Sequence, residues 1–297
     1  LRVLVTGATG FIGSYICQEF DNYRDVELVG CVRGDKRLNS LYAKMIKVDF
    51  LTDGFENVIA QAKPDVIVHA AAISRVDYCE ENRQETWKIN VEATEKIAQT
   101  ASKIGARMVF LSSDFVFSGQ NQFETEESAT NPVSFYGETK VTAEQKVVEN
   151  CANHLIIRPV LVYGIPLQQG AYNIVTMITK NLKEGKPLRI VSDQYRTPVF
   201  VLDLAKFIVK IVFSTETGVF HAGGVDFVSV YEFAVKIAET FGLDKGLITP
   251  VSSAELSQVG TRPPITRFSS QKARDVFGYS PQSVDSALNY IKTSVKI

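Results

Sequence analysis

One short stretch constrains this chain more than any other. Val3-Leu4-Val5-Thr6 is an apolar, β-rich run, and Gly7, Gly10 and Gly13 follow at every third position, with a helical pattern opening near Phe11. Gly7 permits a tight turn, Gly10 lets the backbone approach a pyrophosphate, and Gly13 lets the helix sit close to the strand. The helix N-terminus adds free N–H groups and partial positive charge. The candidate dinucleotide contacts in this loop are therefore Gly7, Thr9, Gly10, Phe11, Ile12 and Gly13. A glycine fingerprint alone is weak, but its place at the first strand–helix junction gives it weight.

The rest of the first half supports that context. Apolar β-rich runs at 26–32, 65–69, 108–111 and 155–157 alternate with helical patterns at 11–19, 54–61, 81–103 and 136–148. Continuous apolar strands separated by helices predict a parallel sheet buried on both faces, and right-handed crossovers make it doubly wound. The second half is broken by Gly170, Gly185, Pro187, Gly223, Gly224, Pro263, Pro264 and Pro281, with helices expected at 173–184, 202–211, 231–240 and 286–294. The expected fold is α/β: a Rossmann-type dinucleotide-binding domain over 1–164, and a smaller α/β substrate domain over 165–297. Residues 198–225 are expected to rejoin the first domain.

Composition excludes several classes. The 297 residues carry 32 Lys+Arg against 33 Asp+Glu, a formal net charge of -1, which argues against a nucleic-acid or polybasic membrane binder. No apolar run reaches about 18 residues, so no membrane-spanning helix is expected. The chain opens on a strand, and no leader peptide is expected. Cys17, Cys31, Cys79 and Cys151 form no CxxC, and His69, His154 and His221 are scattered, so no metal site is expected. Reduced cysteines fit a cytoplasmic protein.

The residue after the second strand decides between cofactors. An acidic side chain there binds a ribose 2′-OH, whereas an arginine accommodates a 2′-phosphate. Arg33 is the first polar side chain after the strand, Lys36 and Arg37 follow, and Asp35 comes two residues too late. The reading is NADP(H) preferred with NAD(H) possible, and the alternative is a solvated basic loop. Asp49 is placed to hydrogen-bond the adenine, with Phe50 beside it.

Tyr136 and Lys140 stand four residues apart, one helical turn on one face. A lysine ammonium near a phenol lowers its pKa, and the tyrosine can then shuttle a proton to a substrate oxygen. Ser113 ends the fifth strand run, on the side where ligands lie in a doubly wound sheet. His69 reads as a satisfied core histidine and Trp87 as a packing residue. For Arg75 and Asp77, contact with substrate is left open.

With these residues in place the chain resembles an extended short-chain dehydrogenase/reductase over essentially its whole length. The likeness rests on the glycine loop, Ala70-Ala71-Ala72, Asn90, Ser112-Ser113 and Tyr136-x-x-x-Lys140. Within that superfamily it looks most like dTDP-4-dehydrorhamnose reductases, through 113–119, Asp193-Gln194, Thr197-Pro198, Asp203-Leu204-Ala205, Arg262-Pro263 and 267–269. The resemblance implies Ser113, Tyr136 and Lys140 as catalytic residues and Asn90 as a supporting one that positions Lys140 through water. It implies Ala70, Ala71, Ala72, Tyr136, Lys140 and Arg158 at the cofactor. It places Ser113, Asp114 and Arg262 at the substrate, with Arg262 on the nucleotide diphosphate. It also implies a nucleotide-sugar substrate and a homodimer formed through the helices at 81–103 and 136–148. One departure is Arg158-Pro159-Val160-Leu161-Val162-Tyr163-Gly164, where the bacterial reductases usually carry Ser-Trp before Val-Tyr-Gly. That form also resembles nucleotide-sugar epimerases and dehydratases, and the regulatory subunit of methionine adenosyltransferase. These remain the alternatives to 4-keto reduction.

Overall fold

Alternation along the first strand sorts the protein into layers. Val3 and Val5 face one apolar cluster and Leu4 the other, and all three are fully buried. The computed structural model describes residues 1–34, 40–167 and 173–294. Its first half runs β1 (Arg2–Thr6), α1 (Phe11–Phe20), β2 (Glu27–Val32), β3 (Lys44–Lys47), α2 (Phe55–Gln61), β4 (Val66–His69), α3 (Val76–Glu81), α4 (Arg83–Trp87), a π-helical turn (Lys88–Glu92), α5 (Ala93–Ile104), β5 (Arg107–Leu111), α6 (Phe135–Asn150) and β6 (His154–Pro159). The second half runs β7 (Val162–Tyr163), α7 (Ile174–Lys183), β8 (Leu188–Val191), β9 (Tyr195–Arg196), β10 (Val199–Phe200), α8 (Val201–Val212), β11 (Gly218–Ala222), β12 (Val228–Ser229), α9 (Val230–Phe241), β13 (Ile248–Val251), β14 (Ile265–Thr266), α10 (Gln271–Phe277) and α11 (Val284–Ser294).

Seven strands form the central sheet in the order β11-β6-β5-β4-β1-β2-β3, all parallel. The doubly wound α/β sheet expected from the sequence is present. One cluster buries α1, α8, α9 and α11 residues such as Ile16, Phe207, Phe233 and Leu288. The other buries α2, α5 and α6 residues such as Ile59, Ile97, Ala143 and Val147. Strand order reverses between β1 and β4, and that reversal opens a crevice at their carboxyl ends. Smaller sheets, β12-β9-β14 and β13-β8, flank it from the second half.

The long helix expected over 81–103 is not continuous. Asn82, at φ -125 and ψ 51, separates α3 from α4, and the π turn then widens the helix before α5. A π turn admits one extra residue into the helical ladder and commonly marks a functional position. Asn90 lies within it.

Candidate functional site

The crevice begins where β1 turns into α1. Gly7 adopts φ +65, and a Cβ there would lie 2.9 Å from the Ala71 backbone. At Gly13 a Cβ would lie 2.1 Å from the Gly7 carbonyl oxygen, so only hydrogen fits between helix and turn. The N-terminus of α1 has no side-chain cap, which leaves first-turn N–H groups to a ligand. A cavity of 240 Å³ opens in front of this turn, lined by the turn and by the ends of β2, β3 and β4. Gly7, Thr9, Gly10, Arg33, Asp49, Phe50, Ala70, Ala71 and Ala72 all line it, as the sequence led one to expect. Phe11 and Ile12 do not; their side chains pack against the core. Cys31, Val48, Ile73 and Ile89 also line the cavity and were not anticipated. They neighbour the strand-end and Asn90 motifs, the only signal by which they were findable.

Arg33 is exposed at the rim of this cavity. Asp35, Lys36 and Arg37 lie outside the described residues, as does Gly170. The crevice floor is fixed by a buried chain of hydrogen bonds. The Ala71 N–H donates to Thr6 Oγ1 at 3.2 Å, and Thr6 Oγ1 meets His69 Nδ1 at 2.6 Å. His69 Nε2 meets Thr94 Oγ1 at 2.9 Å, and the Thr94 hydroxyl donates to the Asn90 carbonyl at 2.8 Å. That last donation uses the only Thr94 hydroxyl proton, so Nε2 carries the imidazole proton and Nδ1 accepts from Thr6. Burial, reinforced by the positive charge of Lys140, pushes His69 down to about 3, which keeps it neutral.

The second part of the site forms around the N-terminus of α6. Ser134 caps the helix by accepting from Gly137 N–H at 3.2 Å, and Glu80 Oε1 accepts from Phe135 N–H at 2.8 Å. These contacts fix Tyr136, which packs edge-on against Phe115 at 5.7 Å and is 8% exposed. Ser113 Oγ accepts at 3.1 Å from the N–H of Phe115, the residue whose ring meets Tyr136. Ser113 and Tyr136 thus both adjoin Phe115.

Three expectations need correction. Lys140 does not lower the Tyr136 pKa. Its Nζ donates to the Leu111 carbonyl at 2.7 Å and sits 4.2 Å above the Phe110 ring. Burial pushes the phenol up, with the Ser113 hydrogen bond opposing it in part. Burial also pulls Lys140 down to about 7, with Glu144 opposing. Asn90 bonds directly to the loop after β4 and to α6. Its Oδ1 accepts from Ile73 N–H at 2.8 Å, and its Nδ2 donates to Ile73 O at 2.9 Å and Thr139 Oγ1 at 3.1 Å. It therefore clamps the loop after β4 to α6.

Arg158 does not line the crevice. Its Nε and Nη2 donate to Glu144 at 2.9 and 2.6 Å, its guanidinium lies 5.2 Å above the Phe117 ring, and it is 5% exposed. A short charged pair excluded from water leaves that fork no free edge for a cofactor. Asp114 does not face an open substrate space either. Its carboxylate accepts from Thr266 Oγ1 at 2.7 Å and Ser113 Oγ at 3.1 Å, which ties the end of β5 to β14. Arg262 forks onto Asp77, at 2.9 and 2.8 Å. Among the described residues no group of three or more His, Cys, Asp or Glu could hold a metal ion, and no helix is long and apolar enough to cross a membrane.

The chain as a whole is similar to known proteins. The profile of the family described as "RmlD substrate binding domain" matches residues 1–296. Methionine adenosyltransferase 2 subunit beta of Bos taurus is 31% identical over 89% of this chain and 78% of that protein. The spore coat polysaccharide biosynthesis protein SpsK of Bacillus subtilis is 30% identical over 97% of this chain and 95% of that one. Among solved structures, a dTDP-4-dehydrorhamnose reductase of Bacillus anthracis in complex with NADP superposes with a TM-score of 0.84 at 25% identity, covering 99% of both chains.

Proposed function

The chain belongs to the RmlD substrate binding domain family, a branch of the short-chain dehydrogenase/reductases, and from that premise we propose that it reduces the 4-keto group of a nucleotide-linked deoxysugar. The substrate class that fits best is dTDP-4-dehydrorhamnose, giving dTDP-rhamnose. The observation that carries this reading is Tyr136 buried on the first turn of α6, one helical turn from the buried Lys140, in a chain whose first strand ends on the glycine turn and its cavity. The reductase of Bacillus anthracis and the spore coat polysaccharide protein support it by their likeness over nearly the full chain.

The residues present fit a dinucleotide. The turn excludes any Cβ at Gly13, α1 is uncapped, and Arg33 stands at the rim where a 2′-phosphate would lie. When bound, NADPH supplies the hydride for the sugar carbon. The chain's own part is the proton. A phenol held above its ordinary pKa stays protonated and ready to donate from Oη to the sugar oxygen. Ser113 Oγ–H, which donates to Asp114 Oδ1 at 3.1 Å, would hydrogen-bond the same oxygen by leaving that carboxylate. The resulting phenolate needs a nearby cation, and Lys140 on the next turn can supply one by leaving the Leu111 carbonyl. The cofactor's 2′-phosphate would meet Arg33, and its adenine the edge of Asp49 beside Phe50.

The test is NADPH oxidation with dTDP-, UDP- and GDP-linked 4-keto sugars. Stoichiometric loss of NADPH with one of them is the expected result. Product without net NADPH loss would point to an epimerase. NADPH binding without turnover on any sugar would point to a regulatory subunit like that of methionine adenosyltransferase. Tyr136→Phe keeps the ring but removes the proton, so turnover should fall by about 10²–10⁴ while NADPH affinity holds.

A further inference from the structure

Asp77 and Arg262 lie 185 positions apart in the chain, yet they form one of its best-shaped ion pairs. Nη1 and Nη2 of Arg262 each meet one oxygen of the Asp77 carboxylate, at 2.9 and 2.8 Å, and the Gly260 N–H donates to Oδ1 at 3.0 Å. One carboxylate thus holds both the guanidinium and the backbone just before it. The segment lies hard against α3: a Cβ on Gly260 would lie 2.6 Å from Val76 and 3.1 Å from Glu80. Val76 and Cys79 pack in turn with Phe135 and Tyr136. In this state Ser113 is 6% exposed and Tyr136 8%. The strap that ends at Arg262 is therefore latched onto the helix that backs the candidate catalytic tyrosine, and that tyrosine is shielded from solvent.

A guanidinium fork receives a carboxylate and a phosphate in the same two-point geometry. Building on the reading that Arg262 meets the nucleotide diphosphate, we infer that Asp77 is a built-in stand-in for that diphosphate, holding the strap on α3 until a nucleoside diphosphate takes the fork from it. The exchange breaks no covalent bond and moves no proton. It trades one anion on Arg262 for another and frees the Asp77 carboxylate, already 44% exposed in its side chain, to water. Asp77 thereby sets a threshold. A ligand without a strong anion at this position does not release the strap, which favours diphosphate-linked sugars over free ones.

The experiment is calorimetric titration of the full chain with dTDP, alongside steady-state kinetics on the 4-keto nucleotide sugar. Asp77→Asn keeps an oxygen for the Gly260 N–H but gives up its charge on the fork, so dTDP should bind roughly 3- to 10-fold tighter, the scale of a well-shaped but partly exposed pair. KM for the nucleotide sugar should fall in step with kcat unchanged. Glu81→Gln removes the same charge from the exposed end of the same helix and should leave dTDP affinity within about twofold, separating the latch from general electrostatics. Arg262→Ala should weaken dTDP binding. Should Asp77→Asn lower the melting temperature, Asp77→Ser serves as the second variant with the same expectation. Unchanged or weaker dTDP binding in both Asp77 variants, with wild-type binding intact, overturns the stand-in and makes Asp77 a mere support for Arg262. Failure of dTDP, UDP and GDP alike to bind wild-type protein overturns the nucleotide-sugar reading, and the stand-in with it.

Discussion

At Tyr136 the same burial that shields the phenol also holds its proton, so the residue rests as an acid, and Lys140 stands one turn along the helix. Lys140 balances there: 1% exposed, bonded to Leu111, and drawn down to about 7. Residue spacing made the pair legible, because four residues on a helix can only mean one face. Which atom each side chain would reach was not legible, since that depends on Leu111 and Phe110, contributed by a strand far off in sequence. Arg33 shows the opposite case. Its position after β2, lining the cavity, was readable because strand ends in this fold face the crevice. The prediction at this scale concerns that side chain. Arg33→Ala should raise the KM for NADPH by roughly 10- to 150-fold, the loss of one charge-assisted contact worth about 1.5–3 kcal/mol, while the KM for NADH barely moves. Steady-state kinetics with both cofactors checks it. Equal use of NADH and NADPH by the wild type, unchanged in the variant, would return Arg33 to the solvated surface.

Between elements, the informative contacts are the ones that motif reading assigned elsewhere. Asn90 and Arg158 both stood in motif positions, and both turn out to join elements. Asn90 stitches the π turn to the β4 loop and α6, and Arg158 joins β6 to α6 through Glu144. A sequence shows that an arginine is present but not that a glutamate on the neighbouring helix occupies its fork. The helix α6 is thus held at its N-terminus by Ser134 and Glu80 and near its middle by a buried ion pair 6% and 8% exposed in its side chains. Arg158→Met leaves the Glu144 carboxylate buried without a partner and should cost about 3–5 kcal/mol in urea unfolding. Replacing both residues with methionine should recover most of that loss, because the unpaired charge rather than the missing contact carries the penalty. NADPH affinity of the folded Arg158→Met protein should stay within about twofold of wild type, since the side chain does not line the crevice. A tenfold weaker affinity at unchanged stability would instead restore Arg158 to the cofactor.

For the molecule as a whole, alternation and glycine spacing made the sheet and its crevice readable, because both follow from local periodicity. The closing contacts were not readable, because the Asp77–Arg262 latch and the Thr6–His69–Thr94 chain pair residues distant in sequence. One such contact sets how the whole fold answers to acid. His69 is fully buried, bonded at both ring nitrogens and held to about 3, whereas in the unfolded chain it titrates near the ordinary histidine value of 6.5. Between those two values the unfolded chain binds a proton that the folded protein refuses. The stability this histidine contributes is therefore complete above pH 6.5 and is lost as the pH falls toward 3. At about 1.4 kcal/mol per pH unit, the loss is about 2 kcal/mol by pH 5. His69→Gln keeps a donor and an acceptor for the two threonines but cannot titrate. Urea unfolding at pH 7 and pH 5 should give a drop in stability smaller by about 2 kcal/mol in the variant, other titrating groups being common to both proteins. Equal drops in the two proteins would mean that His69 takes up its proton in the folded state and that the Thr6–His69–Thr94 chain tolerates a charge.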